Sequence, residues 1–430
     1  MKGVPKNDVT SNIVAEKVSI SPNYFRGVKP KLMVKEGDPV SIGSPLFFDK
    51  INPDVKWGSP ASGIVTAIQF GARRIIEKIE VTVEEQKSIS FESFSEQKLN
   101  SANREKILDS LLEANIFPLI RQRPFNRVAN PSKIPRDIFV SGYNTAPISV
   151  DLPTIIETNK DSFQVGLNAL SKLTEGNVYL TSKAPMDFDH VVNNTISGPH
   201  PAGNIGIQIH HIKPLNPKDV VWTVNAQHVI TIGRLFQNGV YDPRCIVSIG
   251  GSGATMPQLV ETVQGINLSA LLNNQSIDKS VRLVSGDVLT GKSVNANGFL
   301  GYYDSTLTII NDEVDRPFLG MLTLGSSSKK YSLTNTFFSH RSKDFNFTTS
   351  QNGELRAIVP LNAWEDVLPM DIMPNPLYRA ILAQDVEEME QLGIWECDDE
   401  DFALCSFACP SKIDVGSVIR DGLDLLENEG

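Results

Sequence analysis

The chain has 430 residues, 40% of them hydrophobic and 21% charged, and a net charge of -10. That length suits roughly two to four globular domains. The acidic balance argues against a nucleic-acid partner held through phosphates, since the clustered basic residues amount to Arg73-Arg74 and Arg121 with Arg123. Four cysteines give no disulfide framework, no signal peptide opens the chain, and no stretch approaches the ~20 apolar residues of a bilayer span. A reducing cytoplasmic setting follows, with any membrane attachment expected through partners.

Residues 34–65 come first. Gly37-Asp38 and Ser62-Gly63 are turn signals, each followed by alternating apolar residues, which predicts short strands folded back on one another. The run is similar to the barrel-sandwich fold of biotinyl and lipoyl domains, with Asp49-Lys50 near the hairpin tip where such domains carry their lysine. The stretch 50–60 is too long for that tight hairpin and holds Asn52-Pro53, so Lys50 reads as a solvated loop residue. Polar residues 84–101 mark a boundary. Asn100 or Ser101 can then cap a helix with Ile107, Leu108, Leu111 and Leu112 on one face.

A proline-rich loop is expected over 116–125. Asp137-Ile138-Phe139-Val140-Ser141 suits a buried parallel strand, Phe163, Leu167 and Leu170 a helix, and Asn177-Val178-Tyr179-Leu180 a further strand. Strands alternating with helices predict a doubly wound, Rossmann-like α/β domain to about residue 240. Within it, Ser197-Gly198-Pro199-His200-Pro201-Ala202-Gly203 is fixed by two prolines and two glycines, as a designed surface or simply as a rigid turn. His210 and His211 are adjacent, and on a strand they would face opposite ways.

From Arg244 the texture turns to strands at 246–249, 281–284 and 306–310 with one short helix near 268–272, a β-grasp-like α+β pattern. Leu377, Ile381, Val386, Met389 and Leu392, then Val415, Ile419, Leu423 and Leu426, keep helical spacing. The expected domains are therefore 1–95 (barrel-sandwich), 96–240 (Rossmann-like α/β), 241–330 (β-grasp) and 331–430 (ending in helices).

Three motifs invite chemistry. Gly286-Asp287-Val288-Leu289-Thr290-Gly291-Lys292-Ser293 satisfies G-x-x-x-x-G-K-S, but Val294-Asn295-Ala296-Asn297-Gly298 has no helical periodicity to place phosphates at a helix start, so a β-turn is expected. Gly250-Gly251-Ser252-Gly253 follows a strand, yet Met256 stands where the dinucleotide fingerprint needs its third glycine. Cys397, Cys405 and Cys409 resemble part of an iron–sulfur loop. Three thiolates do not complete a four-cysteine cluster, and Cys405 and Cys409 at i, i+4 can equally be core residues of one helix.

Taken together the chain resembles the NqrA family, which supplies one of the subunits of the bacterial sodium-translocating NADH:quinone reductases. The residues carrying the resemblance are G-D-P-V, D-K-x-N-P-x-V-K and S-P-A-S-G near the start, R-Q-R-P-F at 121–125 and G-P-H-P-A-G at 198–203. G-D-V-L-T-G at 286–291, L-P-M-D at 368–371 and A-L-C-S-F-A-C-P-S-K at 403–412 complete them. The family opens on a K-G-L-D-type strand where this chain begins Lys2-Gly3-Val4, so a shortened first domain is expected.

The resemblance implies an SLBB-like β-grasp domain and a peripheral subunit on the cytoplasmic side of the inner membrane. Its partners would be the other five subunits, especially the membrane-embedded and the flavin-bearing ones. The complex oxidises NADH, reduces ubiquinone and exports sodium, and this chain is not expected to be catalytic alone. A more distant resemblance is to the flavin- and NADH-binding subunit of respiratory complex I. There a glycine-rich flavin loop stands where this chain has 116–125, and an acidic A-x-E-x-E-P nucleotide contact corresponds to 141–147. The implied picture is a redox scaffold with no permanently bound cofactor, with NADH, flavins and iron–sulfur centres on other subunits and ubiquinone as a possible visitor. Arg121, Arg123 and Phe125 are the expected quinone- or partner-facing residues, because Arg can donate to a quinone carbonyl and Phe can stack on the ring. His200 is the second candidate. The competing expectation is an assembly scaffold with no quinone contact.

Overall fold

Alternating side chains pair the N-terminal strands into two sheets. One runs Lys17–Ile20, Ile76–Val83, Gly63–Phe70, Pro39–Val40, and the other Pro30–Leu32, Pro45–Asp49, Lys56–Gly58. Between them Phe47 stacks on Trp57 with ring centroids 4.6 Å apart, and Phe25 tilts onto Trp57 at 4.8 Å. This is the barrel-sandwich arrangement. At its hairpin Lys50 is exposed, while Asp49 is buried. The Asp49 carboxylate accepts from the backbone N–H groups of Lys29, Ile51 and Asn52. The turn is thus organised by the aspartate, and the lysine beside it is solvated. The computed structural model describes residues 1–277, 280–312, 345–359 and 361–429.

The α/β sheet shows how period two builds a doubly wound layer. Strands Ile138–Ser141, Val178–Ser182, Val192–Thr195 and Val221–Asn225 are parallel, with Ile138–Ser141 between Val178–Ser182 and Val221–Asn225. Ile138, Val140, Trp222 and Val224 join the core that holds helices Lys160–Ser171 and Ala226–Asn238. Phe139 and Val221 instead pack with Ile205 and Ile209 of helix Ile205–Ile212, in a separate cluster. The two long helices meet backbone to backbone: a Cβ on Gly233 would lie 1.7 Å from the Ser162 carbonyl oxygen. Any side chain there forces them apart.

The expected proline-rich loop at 116–125 is not one. Phe117–Leu119 forms a buried 3-10 turn, and Arg121–Arg123 is a strand pairing antiparallel with both Val221–Asn225 and Arg127–Val128. Proline excludes central strands but not the residues just before a turn, and tertiary pairing overrides the local signal.

The β-grasp sheet has the order Val9–Asn12, Gln258–Val263, Arg244–Gly250, Thr306–Asn311, Val281–Ser285, Lys292–Val294. Its first strand comes from the chain's start, so residues 9–12 lie in the β-grasp sheet and not in the barrel-sandwich. Helix Leu268–Leu272 packs on this sheet. The expected limit at 330/331 lies outside the described residues. The C-terminal part has its own core, in which Leu377, Ile381, Met389, Phe402, Ile419 and Leu423 join helices Pro374–Ala383, Val386–Gln391, Ala403–Ala408 and Val415–Glu429. Among the described residues no helix is long and apolar enough to cross a membrane.

Candidate functional site

In open α/β sheets ligands settle in the crevice outside the carboxyl ends of the strands. Beyond the ends of Ile138–Ser141 and Val221–Asn225 a cleft of about 140 Å³ is lined by Arg121, Ser141, His200, Thr223 and Asn225 among others. Its opposite wall comes from the β-grasp sheet: Asp287 and Thr290 stand on the turn after Val281–Ser285. Asn144 and Ala146 also line it.

Arg121 reaches this cleft from the strand Arg121–Arg123. Its guanidinium lies 5.1 Å from the centroid of the Tyr303 ring and has no hydrogen bond or ion pair among the described residues. The same charge is felt nearby: desolvation and then Arg121 push half-buried His228 down to about 3, which keeps that imidazole neutral. His200 stands opposite in its proline-bound loop. Thr145 Oγ1 is 3.2 Å from His200 Nδ1 and accepts at 2.8 Å from the Gly203 N–H. Only glycine fits at 203, since a Cβ would lie 2.4 Å from the Thr145 nitrogen. Burial pulls the His200 imidazole below its ordinary 6.5, with Asp287 pushing back. Its Nε2 is enclosed and has no partner, and neither has the hydroxyl of Thr223, a residue only 3% exposed. The cleft thus holds one unpaired cation, a neutral imidazole and an unpartnered hydroxyl. Such a set donates to, or accepts from, a small polar ring.

Arg123 goes elsewhere. It is 2% exposed, and its Nη2 donates to Glu400 at 2.5 Å and lies 3.0 Å from Asp398, with Asp401 at 3.8 Å from Nη1. Arg26 of the barrel-sandwich pairs with Asp399 at 2.7 Å and Asp398 at 3.3 Å, and Arg420 of the last helix reaches Asp398 at 3.4 Å. Three guanidiniums therefore face the four carboxyls of 398–401. Against the upward push of burial, Arg123, Arg26 and Arg420 hold Asp398 down to about 2. Burial, then Asp398, push Asp399 up to about 6. Burial drives Asp401 well above the carboxylate range. Three guanidiniums interleaved with these carboxyls make an ionic seam that binds the barrel-sandwich, α/β and C-terminal parts together.

Phe125 also faces inward. Its φ is +72° and its ring meets Trp395 edge-on at 5.7 Å. Of the four residues singled out in the sequence, the cleft unites Arg121 with His200, while Arg123 and Phe125 belong to the seam side. Reading the sequence alone missed Thr223, Asp287 and Thr290. The last two lie in the P-loop look-alike, which folds as a hairpin: the Asp287 carboxylate accepts from Leu289 N–H and the Thr290 hydroxyl, and Lys292–Val294 is a strand. No helix start is present there to hold a phosphate.

Phe117, Pro118 and Leu119 are buried in their 3-10 turn and do not line the cleft. Cys397 and Cys405 donate weakly to the carbonyls of Gly393 and Trp364, and burial pushes the Cys405 thiol up to about 12. They pack as core thiols. Among the described residues no three His, Cys, Asp or Glu are placed to hold a metal. His210 and His211 end a helix rather than sit on a strand. His210 Nδ1 is 2.8 Å from Glu396, its Nε2 accepts from the Asp371 N–H, and His211 bonds the Pro369 carbonyl, which pins the 368–371 segment.

Comparison with known proteins gives three family matches. The NqrA N-terminal barrel-sandwich hybrid domain matches residues 1–84, the NqrA second alpha/beta domain residues 102–241, and the NQRA C-terminal domain residues 246–296. The chain is 38% identical over 437 residues to the corresponding Na(+)-translocating NADH-quinone reductase subunit of Pasteurella multocida (strain Pm70), covering 100% of this chain and 98% of that one. It is 36% identical to its counterpart in Hahella chejuensis (strain KCTC 2396), covering 100% and 97%. Among solved structures, an NAD+-reducing NiFe-hydrogenase aligns with a TM-score of 0.36 at 10% identity over 53% of this chain and 52% of that one. That likeness is too loose to carry an argument.

Proposed function

The chain belongs to the NqrA family of Na(+)-translocating NADH-quinone reductase subunits, and on that premise we propose that it serves the quinone-reducing end of such a complex. In this reading it is a peripheral subunit on the cytoplasmic side of the inner membrane, joined to the membrane-embedded and the flavin-bearing subunits. The complex oxidises NADH, reduces ubiquinone and exports sodium. NADH, flavins and iron–sulfur centres belong to the other subunits, and this one carries no permanent cofactor. Domain limits near 95/96 and 240/241 are part of the same proposal, with residues 9–12 reassigned to the β-grasp sheet.

The observation that carries the reading is the unpaired Arg121 guanidinium in the cleft at the strand ends, opposite His200. A quinone headgroup offers two carbonyl acceptors across one ring. Arg121 can donate to one of them, and the neutral imidazole or the Thr223 hydroxyl to the other. Size favours a headgroup over a flavin or dinucleotide, since about 140 Å³ is well below the ~300–1,000 Å³ of sites for larger ligands. Residues of this chain would hold and polarise the ring, with electrons supplied from cofactors elsewhere.

A photoreactive quinone analogue in the assembled complex tests this. Labelling of this chain that falls on Arg121→Ala supports it. Labelling confined to membrane subunits leaves the second reading, an assembly scaffold without quinone contact, which the Arg26–Arg123–Arg420 seam specifically favours.

A further inference from the structure

The hairpin joining Gly63–Phe70 to Ile76–Val83 ends in Gly71-Ala72-Arg73-Arg74-Ile75. Arg73 and Arg74 both take left-handed backbone angles, φ 56° and 60°, which side-chain-bearing residues adopt rarely. Both are exposed, and neither has an ion pair or side-chain hydrogen bond among the described residues. The nearest acid of the hairpin, Glu77, packs against Gly71 instead, where a Cβ would lie 2.1 Å from its Oε1. Phe70 and Ile75, on either side of the turn, are 52% and 51% exposed. Two uncompensated cations therefore stand beside two apolar side chains with no core to enter.

We propose that this tip dips into the surface of an anionic lipid bilayer. Phe70 and Ile75 would enter the headgroup–acyl boundary while the guanidiniums of Arg73 and Arg74 pair with lipid phosphates. A bilayer suits the patch better than a protein partner, because four side chains at one turn fall far short of the ~1,000 Å² of a specific protein interface. The body's net charge of -10 opposes approach to an anionic surface. At physiological salt, however, charges farther than about 8 Å are screened, so the tip governs the contact. The inference goes beyond the cleft and stands whether or not quinone binds there.

Co-sedimentation of the purified full-length chain with phosphatidylcholine vesicles, with and without phosphatidylglycerol, decides it. The expected result is binding to phosphatidylglycerol-bearing vesicles that weakens with salt. Each arginine removed should cost about fivefold, so R73E with R74E should bind at least about 25-fold more weakly. F70S should lower what binding survives in high salt, and K133E, the same reversal of one charge away from the tip, should bind as the wild type does. No binding by the wild-type chain, equal binding to neutral vesicles, or undiminished binding by R73E with R74E would each overturn the proposal.

Discussion

Arg121 and Arg123 stand two residues apart on one strand, on the face that period two assigns to both, yet their surroundings are opposites. Arg123 is enclosed by Asp398, Glu400 and Asp401, whereas Arg121 ends over the Tyr303 ring with no carboxylate partner. Glu400 separates the two settings, touching Arg123 while lining the cleft that Arg121 enters. A buried cation whose charge is fully answered acts as a strut. One held next to an aromatic face with donors to spare is available to something else. The contrast assigns stability to the seam and binding to the cleft, and it can be broken by experiment.

The largest effect should come from Arg123→Ala. Leaving buried Asp398 and its neighbours without their guanidinium should cost about 3–5 kcal/mol, read as a large fall in the thermal midpoint and faster proteolysis near 398–401. An unchanged midpoint would mean the seam holds nothing. Arg121→Ala should reverse the pattern. Quinone photolabelling should drop about 10- to 100-fold, the worth of a hydrogen bond to a charged group, while stability shifts by no more than about 1 kcal/mol. Equal loss of stability in both variants would erase the distinction.

Phe125 offers a sharper test, because its backbone and side chain pull in opposite directions. Its φ of +72° strains any residue with a Cβ, while its ring packs on Trp395. Phe125→Gly should therefore be more stable than Phe125→Ala by about 1 kcal/mol, the reverse of the usual order. A finding of Ala above Gly by calorimetry would remove the strain argument.

The smallest effect is in pH. Asp399 has its carboxyl raised from 3.8 to about 6, so its contribution is fully present below 3.8 and lost as pH rises through about 6. Asp398, held down to about 2, works in the other direction and only below 3.8. The stability of wild type relative to Asp399→Asn should thus be greater near about pH 5 than near about pH 7. A difference that stays flat with pH would show that the pair is not coupled through the seam.

Much of the fold was legible because local periods carried it. The run 138–141 reads as a strand buried on both faces, and Leu377 with Ile381 reads as one helix face. The loop around His200 drew attention for a physical reason, its prolines and glycines, which do fix its backbone against Thr145. The segment 116–125 misled because proline is a local signal and strand pairing with Val221–Asn225 is not. The acidic run 398–401 has no visible partner in the sequence, since the arginines that give it meaning lie at 26, 123 and 420. Thr223, Asp287 and Thr290 share the same obscurity: a cleft wall assembled from two sheets has no spacing in one dimension.

The strand Val9–Asn12 carries a consequence for how such a chain reaches its native state. It lies parallel to Gln258–Val263, and the Thr10 hydroxyl bonds the Leu259 carbonyl across 249 residues of sequence. A ribosome releasing this protein delivers that strand first and its partner much later. The β-grasp sheet therefore cannot complete itself from contiguous residues, and the early strand must wait unpaired while the barrel-sandwich and the α/β layer form around it. Such high contact order slows folding and leaves an open edge exposed during synthesis. Once closed, the same strand ties the two ends of a long loop, so the first and third parts lose their independence and should unfold together.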